Sequence, residues 1–259
     1  MTILDRIVEY KRKEVAAMKQ LVPVSQMRRQ ANFSSLPRRS FAAAIKDSET
    51  GIISEFKRRS PSMGEIHAMA DAQSVIKGYT AAGAACCSVL TDTAFFGGSL
   101  IDFNVARANT HIPLLRKEFI VDEYQIYQSR FIQADAILLI AAVLSADEIS
   151  HFIRVAHDMN LQTLLEIHHE RELDKFDDAT DLVGINNRNL HDFATDIEAS
   201  CRLIERLPKH TVKISESGIS APSQVKDLRA AGFDGFLIGE QFMKHEEPGV
   251  ALKQFVDGI

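Results

Sequence analysis

From Ile52 onward, short apolar and β-branched runs recur at Ile52–Phe56, Cys86–Thr91, Pro113–Lys117, Ala136–Ile140, Gln162–Ile167, Leu182–Asn186, Thr211–Glu216 and Gly235–Gly239. Between them lie stretches with apolar positions at helical spacing: Ala72–Ala82, Asp122–Gln133, Ala146–Asp158, Ile197–Arg206 and Pro222–Ala231. Leu100–Asn109 is a weaker helix pattern, and His169–Phe176 a short one. Strands apolar on both faces, alternating with amphipathic helices, predict parallel βαβ units. Eight such units are what a closed (β/α)8 barrel, the TIM barrel, requires. An open doubly wound sheet would more naturally have fewer strands and a glycine-rich first turn, and no G-x-G-x-x-G follows the first run. The expected class is therefore α/β, a closed barrel.

The first residues follow a different pattern. Leu4, Ile7, Val8, Val15 and Met18 predict an amphipathic helix over 2–21, and Thr2 with Asp5 resembles a capping box. Pro23 ends it, and a polar stretch with Ser34, Ser35 and Pro37 follows. Residues 1–47 are thus expected to form a helical extension, with 48–259 a single catalytic barrel.

Composition changes this picture little. Of 259 residues, 46% are hydrophobic and 25% charged, the balance of a soluble globular chain, and a formal charge of −5 favours no nucleic-acid partner. The N-terminus lacks the apolar core of a signal peptide. No apolar run approaches the roughly 20 residues of a membrane helix. The cysteines, adjacent Cys86 and Cys87 and distant Cys201, match neither zinc spacing nor a disulfide framework. They are expected to be structural, in a reducing cytoplasm, and the chain is expected to be a monomer.

In such a barrel the chemistry sits at the carboxyl ends of the strands. Glu55 and Lys57 end the first run two residues apart, so both share one face. Thr91 and Asp92 end the second, Lys117 the third and Glu166 the fifth. Asn186 and Arg188, again two apart, end the sixth. Glu216, Ser217 and Gly218 end the seventh, and Gly239 and Glu240 the eighth. Taken singly, each charge also reads as a solvated loop start. Lys57-Arg58-Arg59 also reads as an exposed basic loop, and Glu166 with His168 and His169 as a surface turn. Convergence of all of them on one rim favours a site. Gly218 and Gly239, just before helices, allow a phosphate to approach the main chain. The residues therefore point to a barrel enzyme acting on a phosphorylated small molecule, with lysines and glutamates as acids and bases. No metal-ligand spacing or dinucleotide fingerprint appears, so neither metal nor cofactor is expected.

The same residues resemble the indole-3-glycerol phosphate synthase family. The resemblance rests on EFKRRSPS at 55–62, SVLTD at 88–92, FFGGS at 95–99, LLRKEF at 114–119, LLEIH at 164–168, GINNRNL at 184–190, SESGI at 215–219 and FLIGE at 236–240. It implies that 1-(2-carboxyphenylamino)-1-deoxyribulose 5-phosphate is converted to indole-3-glycerol phosphate, carbon dioxide and water. It also implies an N-terminal extension across the barrel mouth. Lys117 would be the general acid at the ribulose carbonyl, a role made easier if neighbouring cations lower its pKa, and Glu166 a base. Lys57 and Glu55 would complete the polar rim. Ser60, Asn186 and Arg188 would hold the substrate, with Lys57 or Arg188 on the aryl carboxylate. Ser217, Gly218, Gly239 and Glu240 would line the phosphate end, and Phe96, Phe119 and Leu237 the slot for the aromatic ring. Glu240 departs from the small serine frequent in that family, so only its backbone N–H is expected to face phosphate, with the side chain turned away. The rivals are a phosphoribosylanthranilate isomerase, a Schiff-base aldolase using Lys117, and a non-catalytic phosphate-binding barrel.

Overall fold

The computed structural model describes residues 2–33, 39–188 and 197–259. Eight parallel strands close into a barrel: β1 (Ile52–Phe56), β2 (Cys86–Leu90), β3 (Leu114–Lys117), β4 (Ala136–Ile140), β5 (Gln162–Ile167), β6 (Leu182–Asn186), β7 (Val212–Glu216) and β8 (Gly235–Ile238). Each strand pairs with its neighbours in the chain, and β1 closes the ring against β8. Every expected strand is present. Thr91, Pro113, Thr211 and Gly239 fall just outside, as loop residues.

Two separate apolar clusters account for strands that are hydrophobic on both faces. Ile52, Phe56, Cys87, Val89, Leu139, Leu165, Val183 and Phe236 face the helices. Ile53, Cys86, Leu115, Leu138, Leu164, Leu182, Ile214 and Leu237 fill the barrel interior. Because side chains alternate, the second set fixes which strand-end residues point inward. Two residues beyond Ile53 lies Glu55, beyond Leu115 lies Lys117, beyond Leu164 lies Glu166, and beyond Ile214 lies Glu216. Cys86 and Cys87 divide between the clusters, both as free thiols.

The N-terminal residues run the height of the barrel. Helix α1 (Ile3–Leu21) begins at the expected capping box, where Thr2 Oγ1 accepts the Asp5 N–H and Asp5 accepts the Thr2 N–H. Its Ile3, Leu4 and Ile7 roof the cavity at the carboxyl ends of the strands. Helix α2 (Val24–Asn32) descends along the helix after β3, Glu123–Phe131. Helix α3 (Phe41–Lys46) lies at the opposite end from α1 and inserts Phe41 and Ile45 into the interior cluster. There Gln162 Oε1 accepts the N–H groups of Phe41 and Ala42 at 2.6 and 3.1 Å. Only the first part of the extension therefore stands at the mouth.

Among the connecting helices, Leu100–Asn109 is fully formed despite its weak pattern. Ser99 caps it, and Asp102 in its first turn holds Arg58 through paired contacts of 2.7 Å. The short segment after β5 is a 3-10 helix, Glu170–Lys175. The closing helix Pro248–Val256 has no counterpart among the expected elements. No helix among the described residues is long and apolar enough to cross a membrane.

Candidate active site

Every residue expected to act on or hold the substrate lines one of two adjoining cavities at the mouth, whereas Thr91 and Asp92, which end the second run, line neither. Glu55, Lys57, Ser60, Phe96, Lys117, Phe119, Glu166, Asn186, Arg188, Ser217 and Leu237 surround the first. Gly218, Gly239 and Glu240 line the second, which shares Glu55, Lys57, Arg188, Ser217 and Leu237 with it. In the basic run only Lys57 turns inward, 2.7 Å from Glu55 Oε1. Arg58 is engaged with Asp102, and Arg59 donates to the Thr93 and Ala94 carbonyls, so both hold loops rather than substrate.

The centre of the site is Lys117. Its Nζ lies 2.8 Å from Glu166 Oε2 and 2.5 Å from Glu216 Oε2. Glu216 stands at its strand end in the sequence with no role attached to it, because SESG there reads as a phosphate-binding backbone. The parity that selects Glu55 and Glu166 selects it as well. Two glycines make room for these carboxylates. A Cβ on Gly184 would stand 2.0 Å from Glu216 Oε1, and one on Gly239 would stand 2.6 Å from Glu55 Oε1.

The electrostatics differ from the expectation of neighbouring cations. Burial alone would lower the pKa of Lys117, but Glu166, Glu216 and Glu55 outweigh it and hold the ammonium above the ordinary lysine value. Burial alone would raise Glu166, but Lys117 and His168 hold it down to about 2. Burial raises Glu216 to about 8, with the Lys117 charge opposing and the Glu166 charge reinforcing the shift. One ammonium thus serves two buried carboxyls, of which Glu166 is the ionised one. Consistently, Glu216 Oε1 is buried with no hydrogen-bond partner among the described residues, a position that disfavours charge. His168 is no surface residue: its side chain is 2% exposed, with Nε2 3.3 Å from Glu166 Oε1.

The ends of the cavity differ in character. On one side the Phe96 and Phe119 rings lie 5.7 Å apart, tilted by 40°, beside Leu90, Leu138, Leu237 and the roof residues of α1. On the other, Arg188 donates to Ser62 Oγ at 2.7 Å and its backbone N–H is held by Asn186 Oδ1 at 3.0 Å. Glu240 is not turned away. Its carboxylate reaches across to Arg188 at 3.1 Å, drawn by the opposite charge of that guanidinium. Ser217 and Gly218 both have positive φ, 68° and 74°. For serine this conformation is unfavourable. Asn187, which no motif singled out, holds it by donating from Nδ2 to the Ser217 carbonyl at 2.7 Å.

Fold and site together define a (β/α)8-barrel enzyme with an acid–base cluster between an aromatic slot and a polar, main-chain-lined recess after the last strands. Comparison with known proteins narrows the class. The family model described as indole-3-glycerol phosphate synthase matches residues 4–255, and the chain belongs to that family. An indole-3-glycerol phosphate synthase of Bacteroides thetaiotaomicron is 48% identical over 99% of this chain and 98% of its own. One from Verminephrobacter eiseniae is 42% identical over 96% and 97%. Among solved structures, a tryptophan synthase complex from Pyrococcus furiosus superposes with a TM-score of 0.60 at 15% identity, covering 82% of this chain and 98% of that one. A thiamine phosphate pyrophosphorylase from the same organism gives 0.59 at 14% identity, covering 84% and 96%. These two likenesses show the barrel fold alone.

Proposed function

We propose that this site closes the indole ring of 1-(2-carboxyphenylamino)-1-deoxyribulose 5-phosphate and releases carbon dioxide and water. The observation that carries the reading is Lys117, held as an ammonium between Glu166 and Glu216 in the cavity between the aromatic slot and the polar recess. The anthranilate ring lies against Phe96 and Phe119, near Leu237. Its carboxylate is held by Lys57, and Ser60, Asn186 and Arg188 hold the chain of the sugar. The phosphate takes the backbone of Ser217, Gly218, Gly239 and Glu240, at the loops where such barrels bind phosphate. On binding, it replaces the Glu240 carboxylate as the partner of Arg188.

The chemistry needs each group in turn. As the ring carbon attacks the ribulose carbonyl, the π pair moves to oxygen, and the Lys117 ammonium stabilises and protonates that oxygen. Breaking the bond to the carboxylate returns its electron pair to the ring as carbon dioxide leaves. The hydroxyl then departs as water with a proton from Glu216, the carboxyl that stays protonated to about pH 8. Glu166, ionised, takes the last proton. Glu55 holds Lys57 in place through their 2.7 Å contact. A Schiff base at Lys117 would need a free amine, which the ionised Glu166 beside it opposes. We take the enzyme to act without metal or cofactor, as a monomer in the cytoplasm.

The test is turnover of this substrate by the purified protein, followed by indole fluorescence. Lys117→Ala and Glu166→Gln are each expected to lower kcat by about 10²–10⁴-fold. Binding without turnover in the unaltered protein would sink the synthase reading, and borohydride trapping of an adduct on Lys117 would favour the aldolase.

A further inference from the structure

Lys11 lies on the buried face of α1, one turn from Ile7 and one from Val15, and is 2% exposed. A lysine in that place needs a reason, since an ammonium is costly to bury unless it is paired. Its Nζ is 2.5 Å from Glu14 Oε2 on its own helix, 3.0 Å from Asp92 Oδ2 and 3.1 Å from Glu118 Oε1. The last two belong to the loops after β2 and β3, and each has a second task. Asp92 Oδ1 accepts the N–H groups of Phe95 at 2.7 Å and Phe96 at 3.1 Å. Glu118 Oε1 accepts the N–H of Phe119 at 2.9 Å, and its Oε2 accepts the Thr91 hydroxyl at 2.7 Å. Phe96 and Phe119 are the two rings of the aromatic slot. Tyr10, adjacent to Lys11, packs edge-on against Phe95 at 5.7 Å.

One ammonium from the roof therefore grips the two carboxylates that fix the backbone of both slot rings. Asp92 is fully buried, and Lys11 is the cation that pairs with it among the described residues. Without that cation Asp92 would lose the counter-charge that pairs with it among the described residues and Glu118 would keep only Arg116, 3.6 Å away, so the two carboxylates would repel each other in a dry environment and the loops carrying Phe96 and Phe119 would separate. We propose that Lys11 is a positioning residue for the aryl half of the substrate, setting the spacing of the Phe96–Phe119 slot and tying α1 over it. This inference rests on the synthase reading of the site, and it assigns α1 a part in ring recognition beyond covering the mouth.

The test compares Lys11→Met and Asp92→Asn with the unaltered protein. Asp92→Asn keeps an acceptor for the Phe95 and Phe96 N–H groups and removes only the charge facing Lys11. Three quantities are read: KM and kcat for the carboxyphenylamino-deoxyribulose phosphate, the affinity for anthranilate as an aryl-only probe, and the affinity for ribulose 5-phosphate as a phosphosugar-only probe. The chain has no tryptophan, so anthranilate fluorescence is read without indole background. Lys11→Met is expected to raise KM and weaken anthranilate by about tenfold or more, with kcat within about threefold and ribulose 5-phosphate unchanged. Asp92→Asn is expected to shift the same quantities by less. Equal weakening of both probes, a fall in kcat at constant KM, or no change would each overturn the proposal. If Lys11→Met fails to fold by circular dichroism, Asp92→Asn carries the test alone. If the unaltered protein binds anthranilate but does not turn over the substrate, the synthase reading falls while the two probes still decide the role of Lys11. If it binds no anthranilate, both fall.

Discussion

Glu166 and Glu216 approach Lys117 from strands two apart, and Gly184 on the strand between them leaves the space through which Glu216 reaches it. Sharing one ammonium separates their behaviour: Glu166 is held near 2, while burial carries Glu216 to about 8. An acid with that pKa works only while protonated. Accordingly kcat/KM is expected to fall as pH rises through about 8, and Glu216→Gln, itself slower, is expected to lose that alkaline limb. An unchanged limb in the variant would remove Glu216 from the acid role. Stability has the same sign. A folded-state pKa above the ordinary 4.5 gives a contribution complete below 4.5 and lost as pH rises through about 8. At the scale of single residues, strand parity made Glu55, Lys57, Lys117 and Glu166 legible, because an inward side chain two positions past a core residue must face the mouth. The parity signal for Glu216 is equally present but overshadowed by the Ser217-Gly218 pair that follows it. Asn187 and Lys11 were not legible from strand ends: one acts through a backbone carbonyl beyond its strand, and the other belongs to a helix whose docking no periodicity specifies.

At the scale of elements, the strands and the helices between them followed from periodicity, while α2, α3 and the closing helix Pro248–Val256 did not. Helix α3 has six residues, too few to display a 3.6-residue repeat, and α2 buries only Met27 and Ala31. What makes α3 an element is tertiary: Ser40 caps it, Gln162 holds its first N–H groups, and Phe41 fills the barrel floor. Phe41 is fully buried among Ile53, Cys86, Leu115 and Leu164, which cannot close over the space it leaves. Phe41→Ala is therefore expected to lower stability by about 3–5 kcal/mol, read as a shift of the urea midpoint. Because the residues proposed to be catalytic lie at the other end of the strands, kcat/KM of the folded fraction is expected to stay unchanged. A loss of turnover without a loss of stability would show that the floor reaches the site.

Across the whole molecule, the N-terminal residues that the sequence set apart as one extension divide into two tasks at opposite ends of the barrel. Helix α1 closes the mouth through Ile3, Leu4 and Ile7 and through the buried ion pairs of Lys11, whereas α3 completes the core itself. The two are separable by truncation. A chain beginning at residue 23 keeps Phe41, Ile45 and their bonds to the barrel, so the eight-stranded ring retains its floor. It loses the apolar roof, and Asp92 and Glu118 lose the ammonium between them. This chain is expected to fold, with a lowered thermal midpoint and a KM raised by about tenfold or more. A chain beginning at residue 48 loses the floor as well, exposing the interior faces of Ile53, Cys86 and Leu115 at the start of the strands. Apolar surface of that kind, left open at one end of a closed barrel, favours association over folding. That second chain is expected to be insoluble or to show no cooperative thermal transition by circular dichroism. If it folded as stably as the first, α3 would be dispensable to the core, and residues 1–47 would be a single accessory to the mouth after all.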